Sequence, residues 1–176
     1  LEPSKVIPTV IGEPSNKMIT EENENINNNQ KYFGQKALDK YDELTLTYPI
    51  QKGQIIDFDN LEKLFNHIFQ NELEVSPEQF TIFLTEPPLT SKKSREKISE
   101  VFFEKFNIPS LFISNGAVLS LYGACKYSGY VLDCGFEKST VTPIGDGFPY
   151  NDCIKQMEVG GKDVCDYLFK LLYKKH

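Results

Sequence analysis

Apolar side chains change their spacing several times along this chain, and each spacing predicts an element. Leu61, Leu64, Phe65, Ile68 and Phe69 fall at i, i+3, i+4, i+7 and i+8, the stripe of an amphipathic helix. Asp57 and Asp59 stand before it as N-cap candidates, with Glu62 three places after Asp59 as the capping-box partner. His67 lies off the stripe, at its rim or in solvent. Ile98, Val101, Phe102 and Phe106 predict a second helix after a polar turn at Thr90 to Ser94. Val118, Leu119 and Tyr122 predict a shorter one, opened by Asn115 and Gly116 and ended at Gly123. A last helix carries Val164, Leu168, Leu171 and Leu172 inward and follows Gly160-Gly161. Two glycines there admit either a ligand close to the helix N-terminus or tight packing on the sheet, and the residues leave both open.

Short apolar runs closed by turn residues predict strands. Val6 to Ile11 is one, closed by Gly12 and Pro14, and Leu44 to Tyr48 pairs with Gln54 to Ile56. Thr81 to Thr85 reads as a buried strand before Glu86-Pro87-Pro88, and Leu111 to Ile113 as another after Pro109. Tyr130 to Leu132, also buried, and Thr140 to Thr142 follow, then a tight reversal at Gly145-Asp146-Gly147 and one more strand within Asp152 to Val159. Strand, helix, strand, helix, strand from Thr81 to Leu132 is the order of an α/β sheet with crossover helices. Thr20 to Gln30 holds one apolar side chain, Ile26, and cannot bury enough to offset its ordering entropy. It reads as a mobile loop inserted in a domain.

Composition narrows the function classes. The chain has 176 residues, 40% of them hydrophobic, enough to bury about 70% of the unfolded surface. Net charge is −6 and no Lys/Arg run exceeds two, so no clustered basic face argues for direct nucleic-acid binding. No apolar run is long enough to span a bilayer, and no signal-peptide pattern opens the sequence. Cys125, Cys134, Cys153 and Cys165 lack any CxxC spacing and read as reduced, buried thiols rather than a zinc site.

The candidate chemistry sits between the two strands at Tyr130 to Thr142. Asp133 ends the first strand and Gly135 follows two places on. A carboxylate held there reaches a hydrated Mg²⁺, and the glycine lets backbone N–H groups approach a phosphate. The same Asp-x-Gly also makes an ordinary turn.

The surrounding segments resemble the actin and actin-related family over nearly the whole chain. The resemblance is carried by LTLTYPIQKG (44–53), LEKLFNHIFQNEL (61–73), LTEPPLTSKKSREK (84–97), AVLSLY (117–122), Asp133-Cys134-Gly135 and VGGKDVCDYL (159–168). It implies a partial ribonuclease-H-like α/β fold, shared with sugar kinases and heat-shock chaperones, that holds ATP or ADP with Mg²⁺ between two lobes. Residues 1–123 would form the smaller lobe, with its outer subdomain at about 13–48 and the Asn-rich loop at 20–30. Residues 124–176 would begin the second lobe. The family's first phosphate hairpin and most of its second lobe have no counterpart here, so the chain by itself is expected to hold no nucleotide. The resemblance assigns Asp133 to Mg²⁺ through water, Gly135 to phosphate and Gly161 to the nucleoside side, with Lys138 as a compensating phosphate cation.

Departures from the family pattern shape the expected function. Gly116 stands where actins place a glutamine that orients the attacking water. Phe136 and Glu137 replace an acidic residue and a glycine, and Glu137 would set a carboxylate beside a polyphosphate unless it turns away or meets the metal. Lys52 stands where conventional actins carry a histidine. These point to a divergent actin-related subunit of a larger assembly, of chromatin-remodelling or motor-adaptor type, cytoplasmic or nuclear. Its partners would be other protein subunits, actin among them, with no direct nucleic acid and no membrane. ATP, where bound, would be structural and its hydrolysis weak. A filament-forming ATPase is the alternative, and a small-molecule kinase would need a base better placed than Asp133.

Overall fold

The computed structural model describes residues 2–14 and 31–174. The Asn-rich segment at 20–30 lies outside the described residues. Packing divides the chain into two units, residues 1–51 with 55–76, and residues 52–54 with 77–176. This division differs in kind from the lobe boundary at 123/124, which the family resemblance alone implies.

In the first unit, Ile11–Pro14 (β1) pairs antiparallel with Tyr32–Phe33 (β2) and with Leu44–Thr47 (β3), giving the order β2-β1-β3. A short helix, Gln35–Asp39 (α1), runs between β2 and β3. The strand expected at Val6 to Ile11 is displaced toward the C-terminus. Val6 is 83% exposed, and Gly12 and Pro14 belong to the strand rather than to a turn after it. Gly12 fits because a Cβ there would lie 2.6 Å from Leu44 Cδ1. Val10, Ile11, Ala37 and Leu44 are buried around this crossing.

Ile50–Gln51 (β4) and Gln54–Ile55 (β5) form a two-stranded hairpin whose turn residues group with the second unit. The expected pairing of Leu44–Tyr48 with Gln54–Ile56 is therefore corrected. Each run contains a strand, but β3 pairs with β1, and Pro49 separates it from the hairpin. Phe58–His67 (α2) continues into a π-helical turn at Ile68–Glu72. Asp57 is its N-cap, accepting from the Asn60 N–H at 2.9 Å and from the Asn60 side-chain amide at 2.8 Å. Asp59 lies in the first turn, so the Asp59–Glu62 capping box is not the one formed. Leu61, Leu64 and Phe69 are buried, as their stripe predicts. His67 stacks on Phe33 with ring centroids 4.7 Å apart.

The second unit opens with a parallel βαβ unit. Ile82–Glu86 (β6) and Leu111–Asn115 (β7) pair in parallel, joined by Lys92–Glu100 (α3) and its π-helical continuation at Val101–Lys105. Ser91 caps α3 by accepting from the Ser94 N–H, and Ile98, Val101, Phe102 and Phe106 are buried. Gly116–Gly123 (α4) follows β7 directly, capped by Asn115, which accepts from the Ala117 N–H at 2.9 Å. Its buried residues are Ala117, Val118 and Leu121, and Tyr122 is exposed.

Gly129–Cys134 (β8) does not extend the parallel pair. It runs antiparallel to Ser139–Gly145 (β9), which also pairs with Phe148–Pro149 (β10) and Lys155–Met157 (β11). Asp146 and Gly147, both at positive φ, make the predicted reversal between β9 and β10. The strand expected across Asp152 to Val159 is confined to β11, because a 3₁₀ turn occupies Asn151–Cys153. On β9 the inward positions are Thr140, Thr142 and Ile144, and Ile144 packs with Ala117, Val118 and Leu121 of α4.

Several faces read as buried are exposed. Tyr130 and Leu132 of β8 are 81% and 67% exposed, and Phe83 of β6 stacks on Phe112 of β7 in the open. Gly161–Tyr173 (α5) exposes Val164, Leu168, Leu171 and Leu172, the side chains expected to point inward. The helix forms as the period dictates, but no layer of described residues covers its stripe. All four cysteines are likewise exposed and free.

Candidate functional site

The loop joining β8 to β9, Gly135 to Lys138, is closed by a hydrogen bond from the Gly135 N–H to the Lys138 carbonyl at 2.9 Å. A Cβ on Gly135 would lie 3.1 Å from that carbonyl, so glycine suits the closure. The N-terminus of α5 abuts the same loop. Gly161 N–H donates to the Gly135 carbonyl at 3.0 Å and Lys162 N–H to the Phe136 carbonyl at 2.8 Å. A Cβ on Gly160 would meet the Phe136 carbonyl oxygen at 2.4 Å. Gly160 is therefore packed closely on the loop backbone at Phe136 and Glu137, rather than on the sheet. Asp163 completes the cap by accepting from the Gly160 N–H at 2.9 Å.

This loop forms one wall of a cleft of about 490 Å³ within the second unit. Asp133, Gly135 and Lys138 line it, joined by Gly53, Glu86 and Gly116. Three of the four residues singled out in the sequence are therefore brought together. The fourth, Gly161, lies one hydrogen bond behind the wall. Gly116 opens α4 at the cleft edge, and the nearest atom to a Cβ there is the Glu86 carbonyl oxygen at 3.7 Å. The position would admit a Cβ at ordinary contact distance and carries none.

A family model described as Actin matches residues 1–176 of this sequence. The chain belongs to the actin family. The electrostatics of the loop and cleft follow from burial and from local ion pairs. Burial pushes the Lys138 ammonium below its ordinary value, partly opposed by the Asp133 carboxylate. Lys52 is raised by its hydrogen bond and charge contact with Glu158, and Glu158 is lowered by Lys52. Glu137 lines the cleft as well, and its carboxylate accepts the backbone N–H of Lys52.

Two features of the site were missed in the sequence. Glu86, at the end of β6, is held by Arg95 of α3 through contacts of 2.6 and 2.8 Å, which neutralise a carboxylate at the cleft. Their nine-residue spacing across a Pro-Pro turn was the available signal. The Lys52–Glu137 bond spans 85 residues and left no local trace. Among the described residues, no cluster of His, Cys, Asp or Glu is arranged to hold a metal through protein ligands alone. No helix among them is long and apolar enough to cross a membrane.

Proposed function

We propose that this chain is part of a divergent actin-related protein that serves as a subunit of a larger assembly, with ATP or ADP and Mg²⁺ as a structural ligand. The observation that carries the reading is Gly116, a cleft-lining residue without a side chain at the position where the resemblance puts a water-orienting one. Positioning and electrostatics supply most of the catalysis in phosphoryl transfer, so a cleft without that group binds better than it hydrolyses. Asp133 would meet Mg²⁺ through water, Gly135 and Lys138 the phosphates, and Gly161 the nucleoside side. Binding to the folded state alone would stabilise it.

The reading carries with it a ribonuclease-H-like fold of two lobes, with residues 124–176 opening the second. Partners would be other protein subunits, actin among them, in a nuclear remodelling or cytoplasmic adaptor complex, without direct contact to nucleic acid or membrane.

The test is phosphate release by the full natural polypeptide with Mg²⁺ and ATP, beside its Gly116→Gln variant. The expected result is slow release, raised on the order of tenfold or more by the glutamine. Brisk release by the unchanged protein would overturn the reading. The retention of Asp133 and Gly135 together in one cleft favours a second reading, a filament-forming ATPase. Sedimentation of polymers that release phosphate would establish that instead.

A further inference from the structure

Lys52 fastens two distant parts of the second unit to one turn. Its backbone N–H donates to Glu137 Oε2, and its ammonium donates to Glu158 Oε2 at 2.7 Å. The next residue, Gly53, has φ +69, and a Cβ there would lie 2.7 Å from both Cε and Nζ of Lys138. The Lys138 stem therefore lies across the glycine, and the turn touches the phosphate loop at two consecutive residues.

Glu86 is met by Arg95 and the Lys52 ammonium by Glu158. Asp133, Glu137 and Lys138 remain on the wall, two carboxylates against one ammonium. The Lys52 N–H lies beside this wall, next to the lining residue Gly53; a backbone N–H is a donor that an anion would take, and here a carboxylate of the chain already takes it.

We propose that Glu137 is a built-in competitor for polyphosphate, its carboxylate holding the Lys52 N–H and its charge opposing any polyphosphate anion at the same wall. Glu137 then sets how tightly the cleft takes polyphosphate, and the like-charge cost falls when it is neutralised or removed. The coupling is reciprocal: whatever binds the wall weakens the Glu137–Lys52 contact by the same factor that this contact weakens binding. The inference rests on the reading of this cleft as a phosphate site.

The experiment uses the full natural polypeptide with Glu137→Ala and Glu137→Gln, titrated separately with inorganic pyrophosphate and ATP, each with Mg²⁺. Amide exchange at Lys52 is followed in the same three proteins. The expected result is faster exchange at Lys52 in Glu137→Ala and about five- to tenfold tighter pyrophosphate binding by both variants. The glutamine keeps the side chain's size, so tighter binding by both separates charge from a folding defect. Unchanged exchange at Lys52, or binding no tighter in the variants, overturns the inference. Pyrophosphate binding with the expected ratio and no response to ATP leaves the inference standing and removes the nucleotide reading. Equal ATP binding by all three does the reverse, and no binding of either anion overturns both.

Discussion

Helices α2 and α5 carry apolar stripes of similar strength, and the chain treats them in opposite ways. Leu61 and Leu64 of α2 are each 3% exposed, whereas Leu168 of α5 is 56% exposed. Both helices have acidic help at their first turn, from Asp57 and from Asp163. They differ in what holds them. α2 is seated by its face; α5 is fixed by its end, through Gly161 and Lys162 N–H groups bonded to the loop carbonyls. An amphipathic period therefore guarantees a helix but not the layer that covers it.

The largest test of that contrast is a pair of leucine truncations in this chain. Leu61→Ala should lower unfolding free energy by about 3 kcal/mol, as deletion of a buried side chain does. Leu168→Ala should change it by less than about 0.5 kcal/mol, as at exposed positions. Urea midpoints of the two variants measure both, and equal losses would erase the distinction between the helices.

If α5 is held by its end, that end must be sensitive. Gly160→Ala puts a methyl group against the Phe136 carbonyl, an atom of the backbone that cannot swing aside, and should cost about 1–3 kcal/mol. Gly116→Ala, whose methyl group would make only an ordinary contact at the start of α4, should be neutral or stabilise by up to about 1 kcal/mol. Thermal denaturation of the two variants gives the comparison directly.

A smaller gain is expected inside the sheet of β8 to β11. The Thr142 hydroxyl is fully buried and has no hydrogen-bond partner among the described residues. Thr142→Val should stabilise by about 1 kcal/mol, read from the same melts, since the unsatisfied oxygen is removed with little change of shape.

The smallest effect belongs to the Lys52–Glu158 pair, whose members are both exposed. Glu158 is lowered, so its contribution is present above pH 4.5 and is lost as pH falls through its folded value. Lys52 is raised, so its contribution is present below pH 10.5 and is lost as pH climbs through its folded value. Lys138, lowered by burial, has the opposite sense: its cost is present at neutral pH and disappears as pH rises toward 10.5. Glu158→Gln should barely move stability at pH 7, and any loss should vanish in about 1 M salt, where the Debye length is about 3 Å.

What the sequence made legible follows the range of the forces involved. The α2 stripe, the caps at Asp57 and Asn115, and the turn at Asp146-Gly147 rest on neighbours a few residues apart, and all were readable. The Asp133–Gly135 loop was readable for the same reason. Strand partners were not: β3 chose β1 across the chain, and nothing near Leu44 records that choice. Burial was least readable, because Tyr130, Phe83 and Leu168 carry the chemistry of core residues whether or not a layer lies over them. The Glu137–Lys52 contact joins segments that only folding brings together.

The open position of all four cysteines has a practical outcome. A thiol-reactive dye will count the same number of sulfurs before and after denaturation, so the usual difference assay for unfolding is blind here. Rates of labelling, rather than totals, become the usable signal. Handling without a reducing agent invites copies of the chain to couple through these sulfurs.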